Sequence, residues 1–335
     1  MKKLTIWCFI IITNIFLSCG VTDTEENLQP GRRDYVWSVD TISNINGLFH
    51  KIWGYSPNSI WAVSTGGVVD YARFWFYNGT NWDKYTKADA PSEPNCLFGF
   101  SADDVYSGGS GGQIYHYNGN AWSRIYKYPI IKPNPLIINA VYGLSNTDLY
   151  AVGDLFLENG YDRKGIVLHY DGSNWTEIGE INDNCSLLLL SGDNKNLFVF
   201  GNNIETDKMY LYKVVQNKIE KIKEMPSGPT ILARIQGGNY LFIDNTLYKM
   251  QGNKAKEIVQ IKLSTAPIFI SGRSESDLFI NTHEGIYHYN GQDYEKLYSL
   301  SNEYQLISDP LILQDDVFFL AYGNSRNLII HGKLK

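Results

Sequence analysis

Only four of the 335 residues are cysteine, and two of those, Cys8 and Cys19, fall within the first 19 positions. A disulfide framework holding a small loop-rich fold is thereby excluded. The remaining pair, Cys96 and Cys185, fall at different places in the repeat set out below and read as small buried hydrophobes. Basic charge is scarce: 29 Lys and Arg face 35 Asp and Glu, for a net charge of −6. Without a Lys/Arg stripe there is little to neutralise phosphates, so nucleic acid is excluded as a partner. The chain also lacks a Gly-rich phosphate loop, a Cys–His pair, a nucleophile elbow and an HExxH motif, and no cofactor is implied. The apolar run LTIWCFIIITNIF (4–16) has 13 residues, short of the ~20 that span a bilayer. What is abundant is aromatic residues, 14% of the chain with 24 Tyr, together with 30 Gly. That mixture favours strands and tight turns.

The first residues read as a processing signal. Lys2 and Lys3 precede the short apolar run, and LSCG follows at 17–20. This is the layout of a secretory leader. Ser18 before Cys19 resembles the lipobox of bacterial lipoproteins, in the relaxed form of the Bacteroides–Flavobacterium group. Phe16 and Leu17 are larger than that box usually carries. The resemblance implies cleavage after residue 18 and lipidation of Cys19, whose acyl chains would anchor the protein in the outer membrane of a Gram-negative bacterium. Residues 19–34 then form a polar tether. Its acidic cluster Asp23, Glu25 and Glu26 resembles the surface-export signals of the same group.

One word recurs through the rest: YNGTNW (77–82), YNGNAW (117–122), YDGSNW (170–175) and YNGQDY (289–294). Upstream of each copy lies an apolar run, a Ser/Gly turn and a second aromatic strand, as in GFSADDVYSGG (99–109) and GLSNTDLYAVG (143–153). Further copies occupy 54–64, 191–201 and 271–281, and looser ones 236–244 and 313–323. Each unit reads as four short strands over roughly 35–50 residues, the period of a β-propeller blade. There are seven third strands but only six fourth strands following them. The missing one is YVWSVDTI (35–42), with Trp37 in the place of Trp82, Trp122 and Trp175. The expectation is therefore all-β: a seven-bladed propeller over 35–335 whose last blade is closed by the N-terminal strand. The Asn-Gly and Asp-Gly pairs predict type I′ hairpins, and the following Trp a wedge between blades.

The hairpin word resembles the Asp box of sialidase-like propellers, Ser-x-Asp-x-Gly-x-Thr-Trp. Here Asp171 and Gly172 are adjacent, one residue closer than in that box, so the resemblance implies a fold and carries no catalytic site.

His116, His169 and His288 each precede the repeat Tyr, and His331 lies in the matching strand. One repeat position in different blades spaces them around the ring, whereas a metal needs its ligands ~2 Å from one centre. They read as scaffold, and no metal site is expected. His50 lies on an innermost strand, and Arg234 and Arg273 lie in or beside first strands near the axis. The few Arg do not form a sialidase triad. Asp104, Asp148, Asp277 and Asp316 read as turn residues.

Variable loops on a rigid scaffold commonly carry function. The long ones are 65–73, 86–95, 127–135 and 154–165, all joining second to third strands or blade to blade in blades one to three. They offer Tyr71, Arg73, Tyr128, Phe156, Glu158, Tyr161, Asp162 and Arg163, a mixture suited to a protein or glycan partner. The expected function is non-enzymatic binding at the cell envelope. The alternative is a carbohydrate-active hydrolase or lyase, which would cluster Asp, Glu, Arg or His around the channel mouth with perturbed pKa values.

Overall fold

The computed structural model describes residues 30–42, 47–65, 73–87, 90–91, 93–129, 135–158, 160–182, 184–193, 196–225 and 230–335. The leader, Cys19, most of the tether and Tyr71 lie outside them. Among the described residues there is no helix, and none long and apolar enough to cross a membrane.

Strand β1 (Tyr35–Ile42) opens the fold. Four antiparallel strands form each of the next sheets. The first holds β2 (Leu48–Ser56), β3 (Ser59–Thr65), β4 (Phe74–Tyr77) and β5 (Trp82–Tyr85). The second holds β6 (Pro94–Ser101), β7 (Asp104–Gly109), β8 (Gln113–Tyr117) and β9 (Trp122–Lys127). The third holds β10 (Leu136–Ser145), β11 (Asp148–Phe156), β12 (Arg163–Tyr170) and β13 (Trp175–Ile181). The fourth holds β14 (Cys185–Gly192), β15 (Leu197–Asn203), β16 (Met209–Val215) and β17 (Lys218–Met225). Then come β18 (Thr230–Ile235), β19 (Tyr240–Ile243), β20 (Thr246–Gln251) and β21 (Lys254–Gln260). They join β22 (Phe269–Ser274), β23 (Asp277–Thr282), β24 (Gly285–Tyr289) and β25 (Tyr294–Ser299) through one parallel step, Arg234 and Ile235 of β18 beside Ser271 and Gly272 of β22. The last sheet is built from β26 (Gln305–Leu306), β27 (Leu311–Ile312), β28 (Asp316–Gly323) and β29 (Arg326–Leu334), with β1 added at its outer edge.

That addition runs in register from Tyr35↔Leu334 to Ile42↔Asn327. The N-terminal strand closes the last sheet, as the repeat count predicts. Each buried cluster joins neighbouring sheets. Trp61 and Phe74 of the first meet Val105 and Trp122 of the second, and Val152 and Val167 of the third meet Leu187 and Val199 of the fourth. Phe49 and Trp75 of the first meet Phe318 and Ile329 of the last, so the chain of contacts returns to its start. The wedge expected of the hairpin Trp is present: Trp122 is 2% exposed and lies edge-on to Trp61 of the preceding sheet, centroids 5.5 Å apart. Burying such a ring stabilises by roughly 2–3 kcal/mol. Cys96 and Cys185 are buried and unbridged.

The hairpins differ from the type I′ turns read from the sequence. The word YNGTNW closes on the pair Tyr77↔Trp82, leaving a four-residue loop. Only its glycine has a positive φ, 94° at Gly79 and 90° at Gly172. Asn78 Oδ1 accepts from the amides of Thr80 and Asn81, both at 2.9 Å, and Tyr77 Oη donates to the Gly79 carbonyl at 3.1 Å. Asp171 and Tyr170 repeat both bonds. The short acceptor side chain organises the turn, so Asn or Asp keeps ordinary backbone angles. Paired positive-φ residues occur elsewhere, at Gln216–Asn217, Asp244–Asn245 and Asn324–Ser325.

Candidate functional site

The innermost strands carry a bulge in four successive sheets. Register shifts fall at Phe49/Lys51, Pro94/Cys96, Ile138/Ala140 and Leu187/Leu189, leaving His50, Asn95, Asn139 and Leu188 unpaired in the ladder. An extra residue bends the strand and re-aims its side chain. Asn95 Nδ2 donates to Asn139 Oδ1 at 2.8 Å, and Asn139 Nδ2 donates to the Leu187 carbonyl at 2.9 Å. These bulge residues and their neighbours line two cavities.

The first cavity, about 540 Å³, lies on the side of the second-to-third-strand loops. Its walls include Arg73, Glu93, Asn139, Asp154, Phe156 and Arg163. Three of the residues singled out in the sequence, Arg73, Phe156 and Arg163, thus come together. The Arg163 guanidinium lies 4.6 Å from the Phe156 ring centroid, and its Nη1 is 3.3 Å from Asp154 Oδ2. Its Nε is buried with no hydrogen-bond partner among the described residues. Asp154 is 3% exposed and accepts from Ser186 Oγ at 2.6 Å and the Leu187 amide at 2.9 Å. Burial raises its pKa despite the hydrogen bonds and the Arg163 charge. Arg73 reaches Glu93 at 3.4 Å, and Glu93 holds a φ of 53°, a strained angle at the cavity rim.

The other predicted residues lie apart from this cavity. Tyr128 turns outward and donates to Glu177 Oε2 at 2.7 Å. Glu158 and Tyr161 are exposed on the β11–β12 connection, Tyr161 to 81%. Asn184 fixes this connection by accepting from the Arg163 amide and donating to Asp162 and Glu205.

The second cavity, about 630 Å³, lies on the axis and extends towards the first-to-second-strand turns. Its lining includes Lys51, Trp53, Phe98, Tyr142, Arg234 and Asp309. Arg234 Nε is 3.2 Å from Asp309 Oδ2. Burial pushes the Lys51 amine down, the Asp309 charge opposes this and the Arg234 charge adds to it. Asp193, on the same rim, accepts from the Asn196 amide and from Asn239 Nδ2, both at 2.9 Å. Arg234 is near the axis, as the sequence implied. Arg273 instead packs between sheets, bonded to the Leu313 carbonyl, Tyr35 Oη and Asp277. Lys51 and Asp309 were not singled out in the sequence; Lys51 lies on β2 and Asp309 between β26 and β27, with no shared motif.

The repeat histidines form four separate pairs. His116, His169, His288 and His331 bond through Nε2 to Asp104, Asp148, Asp277 and Asp316 at 2.8, 2.8, 2.7 and 2.6 Å. Three stack on second-strand rings: His116 on Tyr106, His169 on Tyr150 and His331 on Phe318. Each pair ties the first turn of a sheet to its third strand. No group of three metal-ligating side chains occurs among the described residues.

No protein-family model and no curated protein matches the sequence. Solved structures do. YCF48 bound to D1 peptide is 14% identical with a TM-score of 0.63, over 92% of this chain and 99% of that one. The extracellular domain of a one-component system from B. thetaiotaomicron is 13% identical with a TM-score of 0.57, over 87% of this chain and 39% of that one. Oligogalacturonate lyase in complex with manganese is 8% identical with a TM-score of 0.60, over 91% and 98%. At these identities the likeness concerns the fold, and with the four-stranded sheets it indicates a β-propeller.

Proposed function

We propose that the chain is a lipid-anchored, seven-bladed propeller of the Gram-negative outer membrane that binds a protein through its loop-rich face. The observation that carries this is the 540 Å³ cavity where Arg73, Phe156 and Arg163 converge. An Arg stacked on an aromatic ring, beside buried polar groups, is the type of anchor point that protein interfaces use. The eight-stranded sheet divides at its parallel step into two antiparallel groups of four, which supports the count of seven. That one similar propeller was solved with a peptide favours a protein over a glycan as partner.

The anchor reading fits the position of the termini. Tyr35 pairs with Leu334, at the end of β29 remote from the β28–β29 turn, and the Gly31 amide donates to Ser276 in the β22–β23 turn. The tether thus leaves from the side of the short first-to-second-strand turns. A lipid on Cys19 would turn that side to the membrane and the loop-rich face away from it.

The test is crosslinked co-purification from native membranes, comparing wild type with the Arg73→Ala, Arg163→Ala double variant. A protein recovered with wild type and lost with the folded variant supports the reading; identical recoveries from both refute it. Cys19→Ala should release the protein from membranes, and continued attachment would refute the anchor. The enzyme alternative rests on Arg234, Asp309 and Asp193 at the axis, and turnover of a polysaccharide that fails in Asp309→Asn would establish it instead.

A further inference from the structure

The axial cavity has a charge arrangement that the loop-face reading does not use. Lys51 and Arg234 bring two cations into it, and Asp309 Oδ2 pairs with Arg234 at Nε. Lys51 Nζ and the two terminal nitrogens of Arg234 have no hydrogen-bond partner among the described residues. Asp193, the other carboxylate on the wall, is engaged by Asn196 and Asn239. Over the whole wall two cations face two carboxylates, but the charges acting on Lys51 are those of Asp309 and Arg234, so beside Lys51 and Arg234 one positive charge is locally in excess, in a half-enclosed site where it attracts an anion more strongly than in water. Asp309 opposes the approach of a second negative charge, which selects a monoanion. Trp53, Phe98 and Tyr142 with Ile52, Leu97 and Val141 form the apolar part of the wall, and Asn139, Ser191 and Gln236 add polar side chains to it. Phe98 and Tyr142 lie with centroids 5.2 Å apart, and Gly99 leaves room for the Trp53 ring above it. A volume of about 630 Å³ falls within the range of small-molecule sites.

We propose that the axial channel binds a small organic monocarboxylate, its carboxylate between Lys51 and Arg234 and its apolar body against Trp53, Phe98 and Tyr142. Lys51 supplies an ammonium point charge, and Arg234 supplies the planar fork that suits a carboxylate. The aromatic rings favour an acid with an apolar body, which gives up less hydration against them than a hydrophilic one does. The site adjoins the loop-face cavity at Asn139, which lines both, and does not depend on a protein partner.

The probe set is phenylacetate and linear carboxylates of four to ten carbons, with the matching primary amides, titrated into the detergent-solubilised full-length protein. Binding is followed by calorimetry and ligand-observed NMR. At least one carboxylate should bind in the millimolar range or tighter, and its amide roughly tenfold more weakly, as for loss of a charged hydrogen bond. Lys51→Met should abolish that discrimination and Lys51→Arg should retain it. Arg234→Gln provides the same test should Lys51→Met fail to fold. The proposal is overturned if no acid of the set binds, if acid and amide bind equally, or if folded Lys51→Met and Arg234→Gln discriminate as wild type does.

Discussion

His288 Nε2 lies 2.7 Å from Asp277 Oδ1, and Arg33 Nε, 255 positions away, lies 3.2 Å from the other ring nitrogen. A guanidinium can only donate, so Nδ1 of His288 is the acceptor and the proton sits on Nε2, facing Asp277. The imidazole side chain is fully buried. Burial opposes ionisation of Asp277, yet the His288 hydrogen bond and the Arg273 charge outweigh it and lower its pKa. Asp277→Ala should cost about 2–3 kcal/mol, because it strands a buried donor. Asp104→Ala should cost about 1 kcal/mol, since His116 is 26% exposed and water can replace the carboxylate. Urea unfolding of both variants checks this, and equal losses would show that the pairs do not act through burial.

The hairpin glycines make a second ordering testable. A Cβ at Gly79 would collide with Asn58 Oδ1 in the neighbouring turn, at a φ of 94° that L-residues avoid. Gly160 has a φ of 73° with open space around it. Gly160→Ala should therefore cost about 1 kcal/mol, the backbone penalty alone. Gly79→Ala should cost up to about 1 kcal/mol more, because the exposed Asn58 side chain must turn aside. Thermal unfolding of the pair separates the two contributions, and identical melting temperatures would deny the contact between turns.

The propeller was legible in the sequence because Tyr77, Asn78, Gly79 and Trp82 each have a local task within one six-residue word, and the word is repeated. The Asp–His pairs were not, although both partners had been noticed. Asp104 and His116 are 12 positions apart, Asp148 and His169 are 21, because the second-to-third-strand loop between them varies in length. A contact across a variable loop has no fixed spacing to read. The loop face was legible in part: Arg73, Phe156 and Arg163 converge, while Tyr128 does not, since the loop carrying it turns outward to Glu177. The axial site was largely hidden, because Lys51 of β2, Arg234 of β18 and Asp309 between β26 and β27 come from separate sheets and meet only when the ring closes.

Closure itself depends on residues 35–42. Tyr35 and Trp37 pack against Phe279 and Tyr298 of the preceding sheet, and Arg273 Nη1 donates to Tyr35 Oη at 3.1 Å. Removing 35–42 exposes the β29 edge and opens the buried cluster between the last two sheets. The truncated protein should lose cooperative unfolding, or associate through the bare edge. A monomer with an unchanged melting transition would refute the closure.

His50 supplies the pH dependence. Both of its ring nitrogens are buried without a hydrogen-bond partner among the described residues, and burial, aided by the Lys51 charge, pushes its pKa down to about 4. The unfolded chain takes up this proton near pH 6.5 and the folded chain only near pH 4. Between those values the unfolded state binds more protons, so stability falls as the pH drops through the window and recovers above it. The full effect is roughly 3 kcal/mol. His50→Asn should remove it without a new clash, because Asn95 and Asn139 already occupy the equivalent bulges of the next two sheets. Urea midpoints at pH 7 and pH 4.5 should converge for the variant relative to wild type. If the two proteins lose the same stability on acidification, the imidazole is not held neutral by its burial, and the acid sensitivity belongs to the carboxylates.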